Sequence, residues 1–137
     1  AGEVYVGPDI QFGYFIQEHD LLNQETTVFE YLRKQEDEFF GKDEILFELG
    51  RFWLPPDTVD DKLRYLSPGE RVRVILAGLV LRGANTLVLD EPTNHLDLDA
   101  IEALEDALVS FPGTLIVVTH DRRFLDNLQI EQKIELS

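Results

Sequence analysis

The sequence predicts an α/β protein with a parallel sheet and a small helical layer beside it, and three observations carry that prediction. Thr86-Leu87-Val88-Leu89 and Thr114-Leu115-Ile116-Val117-Val118 are short, uninterrupted apolar runs, the pattern of parallel strands buried on both faces. Between them Asp99-Ala100-Ile101-Glu102 opens a helix with Ile101, Leu104 and Leu108 along one side, and Pro112-Gly113 stops it. Both runs end in polar groups, Asp90-Glu91-Pro92 and Thr119-His120-Asp121. In open parallel sheets, ligands bind just beyond the carboxyl ends of the strands.

The remaining elements follow along the chain. Val4, Tyr5 and Val6, then Ile10, Phe12, Tyr14 and Phe15, are β-branched or aromatic and flank the turn Gly7-Pro8-Asp9, which reads as two short strands. Thr27-Val28-Phe29-Glu30 fits a capping box, so a helix is expected there with Tyr31 and Leu32 on its buried side. An acidic helical run is expected over Glu36 to Leu49, and Pro55-Pro56-Asp57 breaks the chain after it. Ser67-Pro68-Gly69-Glu70 is the sharpest helix start, with serine at the cap, proline at the first helical position and glutamate three residues after the cap. That helix should run to about Arg82. Residues 1–17 are read as core strands, 18–66 as the helical layer and 67–137 as the rest of the core.

Composition narrows the chemistry. The 137 residues carry 27 acidic and 12 basic side chains, a formal net charge of -15, so the summed field repels phosphate backbones and a nucleic-acid contact belongs elsewhere. Cysteine is absent, which excludes a disulfide scaffold, a zinc knuckle and a thiol nucleophile and suits a cytoplasmic location. The apolar stretches are too short to span a bilayer. Methionine is also absent, so the sequence is expected to be a piece of a longer protein.

Asp90 and Glu91 are adjacent carboxylates leaving a hydrophobic strand. One of such a pair can hold Mg²⁺ while the other orients an attacking water, although a solvated acidic turn has the same sequence. Their company sharpens the choice. Leu66-Ser67-Pro68-Gly69-Glu70 precedes Leu87-Val88-Leu89-Asp90-Glu91-Pro92-Thr93-Asn94-His95-Leu96-Asp97, and Val117-Val118-Thr119-His120-Asp121 follows. This ordered set resembles the ATP-binding cassette (ABC) family: signature motif, Walker B strand with its glutamate, D-loop and switch histidine. Gly13-Tyr14-Phe15-Ile16-Gln17 is similar to the approach to that family's Q-loop. Pro92 to Asp97 and His120 to Asp126 resemble the ABC-F subfamily of soluble twin-cassette ATPases acting on the ribosome. The short stretch from Gln17 to Leu66 favours the second cassette of such a protein.

The resemblance implies a P-loop NTPase fold of ABC type, with ATP and Mg²⁺ bound and ATP hydrolysed. It implies that Glu91 polarises the attacking water, that Asp90 holds the Mg²⁺ shell, that Gln17 contacts metal and water, and that His120 steadies the γ-phosphate. Ser67, Gly69 and Glu70, with Asp97 of the D-loop, would serve nucleotide held across a head-to-tail interface with a second cassette, and other regions of the intact protein would meet the ribosome. His95 stays unassigned. Two departures stand out. No G-x-x-x-x-G-K-[ST] occurs, so the Walker A strand and loop are expected before Ala1, and Pro68 replaces the usual glycine of the signature. The isolated chain is therefore expected to bind nucleotide weakly and to self-associate along the edge of the Thr114 strand, with Gln129 to Leu136 displaced. A transporter nucleotide-binding subunit and an inactive binding module are the competing readings.

Overall fold

The structure, a computed structural model, describes residues 9–15, 24–35 and 38–128. Its centre is a parallel sheet of β1 (Phe12–Phe15), β4 (Thr86–Asp90) and β5 (Thr114–Val118), in the order β1-β4-β5. The register sets Tyr14 beside Val88 and Val88 beside Ile116. The α/β fold and the neighbouring strands are as the sequence predicts. Val4 to Val6, Gln17 and Gln129 to Leu136 lie outside the described residues.

Asn85 ties the amino ends of the strands together. Its side-chain oxygen accepts from the Gln11 N–H at 2.8 Å, its amide nitrogen donates to the Asp9 carbonyl at 2.7 Å, and its own carbonyl accepts from Thr114 N–H at 2.9 Å. Gly113 is required at this junction, because a Cβ there would run into the Asn85 carbonyl. With the amino ends fixed, the strands emerge in step at their carboxyl ends, where the polar residues sit.

Between β1 and β4 the chain forms α1 (Val28–Arg33), a two-residue ladder of β2 (Lys34–Gln35) with β3 (Glu38–Phe39), α2 (Lys42–Arg51), 3₁₀ turns at Pro56–Asp60 and Leu63–Tyr65, and α3 (Pro68–Leu81). Thr27 caps α1 by accepting from Glu30 N–H at 3.1 Å. The expected helix over Glu36 to Leu49 is corrected: Glu38 and Phe39 pair antiparallel with Gln35 and Lys34, and the helix starts only after Gly41. Phe40 N–H bonds back to the Arg33 carbonyl, so Glu38 and Phe39 are held in the ladder, and Asp43 and Glu44 fall in the first turn of α2. Helix α3 runs through the middle, touching α1, α2, β1 and α4 (Leu98–Val109). Its Val72, Val74, Ile75, Leu76, Ala77 and Leu79 are all buried. One hydrophobic cluster joins Val28, Leu32, Ile45 and Leu49 of the first helices to Leu87 and Leu89 of the sheet and Phe124 of α5 (Arg122–Asn127).

Among the described residues the sheet is covered on one face. Gly13, Phe15, Leu87 and Leu89 are buried, whereas Tyr14 is 61% and Val118 55% exposed, with Phe12 and Ile116 also open. The expectation that the Thr114 run is buried on both faces is therefore corrected for the described residues: the helices they form pack on one face only, and Thr114, Ile116 and Val118 point away from it. The approach on the covered side is close, since a Cβ on Gly13 would stand 2.8 Å from the Ala84 Cβ.

Candidate active site

The polar residues at the carboxyl ends of β4 and β5 are brought together by the register. Asp90 pairs with Val118 at the last rung, and the next residue, Glu91, donates its backbone N–H to the Val118 carbonyl at 2.7 Å. Glu91 then adopts φ 45, in the left-handed region that costs a side-chain-bearing residue roughly 1–3 kcal/mol. That turn of the backbone ends the strand and starts a tight loop in which Asn94 N–H bonds the Glu91 carbonyl at 3.2 Å and Leu96 N–H the Thr93 carbonyl at 3.2 Å. Pro92 and Thr93 are buried beneath it.

The Glu91 carboxylate is largely covered and has two neighbours from the end of β5. Thr119 donates its hydroxyl to Oε2 at 3.1 Å, and His120 Nε2 lies 3.8 Å from Oε1. The second distance is too long for a hydrogen bond and short enough for a charge to be felt. His120 itself reaches fully into solvent, at 102% relative side-chain exposure, and Asp90 is exposed beside it. The structure thus joins Glu91 and His120, and places Asp90 on the same rim. Gln17 lies outside the described residues.

The other expected site residues are engaged locally. Ser67 accepts from Glu70 N–H at 3.1 Å, and the Glu70 carboxylate accepts from Ser67 N–H at 2.9 Å, the reciprocal capping box read from the sequence. Pro68 at the first helical position has no N–H to offer. Gly69 is fixed by packing: a Cβ there would stand 2.7 Å from the Ala103 Cβ of α4. Asp97 caps α4, accepting from Ala100 N–H at 2.8 Å, so the helix starts at Leu98 and not at the expected Asp99. His95 has φ 66 and is exposed in the same loop.

Thr119 is the residue that sequence reasoning missed. Its hydroxyl also accepts from Asp121 N–H at 3.0 Å, while Asp121 caps the unanticipated short helix α5 through Phe124 N–H. A hydroxyl directly ahead of His120 and an Asp directly after it were the available signals.

The donor set suits Mg²⁺ held by few protein groups. Among the described residues no cluster of three or more His, Cys, Asp or Glu forms a metal cage, but one exposed carboxylate at a strand end is what an ion completed by water and phosphate oxygens requires. No helix of the described residues is long and apolar enough to cross a membrane.

Comparison with known proteins bears on the fold and the family. Over 87% of this chain and 56% of the other, the fold matches the dimeric structure of MJ0796, a bacterial ABC transporter cassette, with TM-score 0.61 and 23% identity. Among curated proteins, the chain is 43% identical over 129 residues to YdiF of Bacillus subtilis (strain 168), covering 93% of this chain. It is 40% identical over 134 residues to ATP-binding protein Uup of Escherichia coli (strain K12), covering 96% of this chain. The chain spans about a fifth of the length of these relatives (20% and 21%). The ABC transporter family itself matches residues 7–94, more than half of the sequence and inclusive of the Ser67 helix start and the Asp90-Glu91 turn, and the chain belongs to that family of ATP-binding cassettes.

Proposed function

We propose that this chain supplies the water-activating half of an ATP hydrolysis site in a longer ABC-F-type protein. The observation that carries the reading is the convergence of Glu91 and His120 at the carboxyl ends of neighbouring parallel strands, with Glu91 held by β5 through both backbone and side chain. Phosphoryl transfer needs positioning and charge neutralisation more than covalent chemistry. A carboxylate with one oxygen tied and the other free is suited to hold a water in line. Glu91 takes that part, Asp90 is an oxygen ligand for Mg²⁺, and His120, reaching into solvent 3.8 Å from Glu91, meets the γ-phosphate. The resemblance of Gly13 to Gln17 to the approach to the family's Q-loop adds Gln17 to these roles. Mg²⁺, when bound, neutralises charge on the transferred phosphoryl group.

The phosphate-gripping loop, whose pattern the 137 residues lack, comes from elsewhere in the longer protein. Ser67, Gly69 and Glu70 form the start of α3 and act with Asp97 toward nucleotide held by a second cassette. The dimeric MJ0796 cassette bound to ADP and Pi supports that arrangement. The Asn94-His95 wording of the loop and the identity to Uup and YdiF support the ABC-F assignment and, with it, action on the ribosome. The net charge of -15 puts the ribosomal contact on other regions.

The test is Glu91→Gln in the full-length protein with its other site inactivated. Turnover should fall at least about 10²-fold, the range of a general base, while ATP binding persists. Unchanged turnover would remove Glu91 from this role. Co-sedimentation of the full-length protein with ribosomes tests the ABC-F reading separately.

A further inference from the structure

The Thr119 hydroxyl has one proton, and its surroundings fix where that proton goes. The Asp121 backbone N–H points at Oγ1 from 3.0 Å and can only donate, so it occupies a lone pair. The other close polar neighbour is Glu91 Oε2 at 3.1 Å, which as a carboxylate can only accept. The hydroxyl proton is therefore directed at Oε2 by exclusion. Thr119 is half-buried and β-branched, so its own rotamer is also restricted.

We infer that Thr119 is a positioning residue for the hydrolytic reaction: it ties down one oxygen of the Glu91 carboxylate so that the other, Oε1, 3.8 Å from His120 Nε2, is left to orient the attacking water. The inference rests on the proposed role of Glu91. A glutamate side chain left alone samples many rotamers, and a base that must be found in one of them is slow. Here the main chain of Glu91 is anchored by Val118, its left-handed backbone aims the side chain back over β5, and the Thr119 bond removes the remaining swing. The same hydroxyl is held by Asp121, whose carboxylate caps α5. Thr119 thus links the base to the turn that carries His120.

The experiment uses the full-length protein with its other site inactivated and compares Thr119→Val, Thr119→Ser, Glu91→Gln and the double variant. Thr119→Val should lower kcat about tenfold, the rate equivalent of one hydrogen bond to a charged group, with KM for ATP unchanged within about twofold, and Thr119→Ser should restore most of the rate. Added to Glu91→Gln, the valine should cost little further, because the charged base it positions is already gone. Should the valine variant not fold, Thr119→Ala against Thr119→Ser asks the same question, and slow alanine with fast serine supports the inference. It is overturned by a valine or alanine variant with parental kcat, by serine as slow as valine, or by a full tenfold loss on top of Glu91→Gln. Parental turnover in Glu91→Gln alone would instead defeat the proposed function.

Discussion

The turn after β4 and the start of α3 contain the same kinds of side chain, a hydroxyl and a glutamate, and use them in opposite ways. At α3, Ser67 and Glu70 lie three residues apart and bond each other's backbone, so both hold the helix end. At β4, Glu91 and Thr119 are 28 positions apart and bond side chain to side chain, leaving one carboxylate oxygen uncommitted. The α3 start has ordinary extended backbone at its cap, Ser67 with φ -65, whereas Glu91 stands at φ 45. A local pair stabilises its own element. A pair assembled from two strands, at some cost in backbone strain, can hold a group ready for a third partner.

The widest separation between the two regions is expected in Glu91→Gln against Ser67→Ala. The first should abolish turnover and shift stability by no more than about 1 kcal/mol, since glutamine can still accept from Thr119. Ser67→Ala should cost more stability than Glu91→Gln while hydrolysis at the Glu91 site itself continues. If chemical denaturation showed Glu91→Gln to be the more destabilising, the contrast would fail.

Next in size is Gly69→Ala. The new methyl would meet Ala103 at 2.7 Å, and overpacking of this kind costs about 1–3 kcal/mol. Shrinking the partner with Ala103→Gly should recover most of the loss, and no recovery would mean that the glycine serves something other than packing.

Ser67→Ala should cost about 0.5–2 kcal/mol, and combining it with Glu70→Ala should cost less than the two single changes added, because each acts on the same cap. Thermal unfolding of the four proteins measures this. Slower hydrolysis at the opposite cassette, beyond what the stability loss explains, would add a nucleotide role to the cap.

The smallest effect concerns a glutamate that is half-buried without being positioned for chemistry. Glu48 is only 12% exposed at its side chain and pairs with Arg51 at 3.0 Å; burial raises its pKa above the usual carboxylate value, with Arg51 opposing. The folded state then holds the proton more tightly than the unfolded one. Its favourable contribution is present below the ordinary carboxylate range and is lost as pH rises through the raised value. Glu48→Gln should therefore gain stability relative to the parent between pH 4 and pH 7, by less than about 1 kcal/mol. Urea titrations at the two pH values check the sign.

Much of this protein could be read from short-range pattern. The start of α3 was legible because every group in a capping box lies within one helical turn, and β4 and β5 because an apolar run bounded by turn residues has few other uses. Glu91 and His120 were legible as strand-end groups for the same reason, and the motif order identified the family. The hairpin at Glu38 was not, since its partner strand is decided by Phe40 N–H finding the Arg33 carbonyl and not by propensity. Nor was the exposure of Thr114, Ile116 and Val118 on one face of β5, because an apolar run has the same spelling whether one face or both are covered. Gly69 showed the residue but not its neighbour on α4. Thr119 was visible as a letter between a strand and a histidine, but its bond to a carboxylate 28 positions away exists only once β4 and β5 lie side by side in one register. Sequence fixes which groups are offered at strand ends and helix starts, because those depend on backbone hydrogen bonds within a few residues. Which oxygen is tied and which is left free depends on distances across the sheet, and only the packed chain sets those.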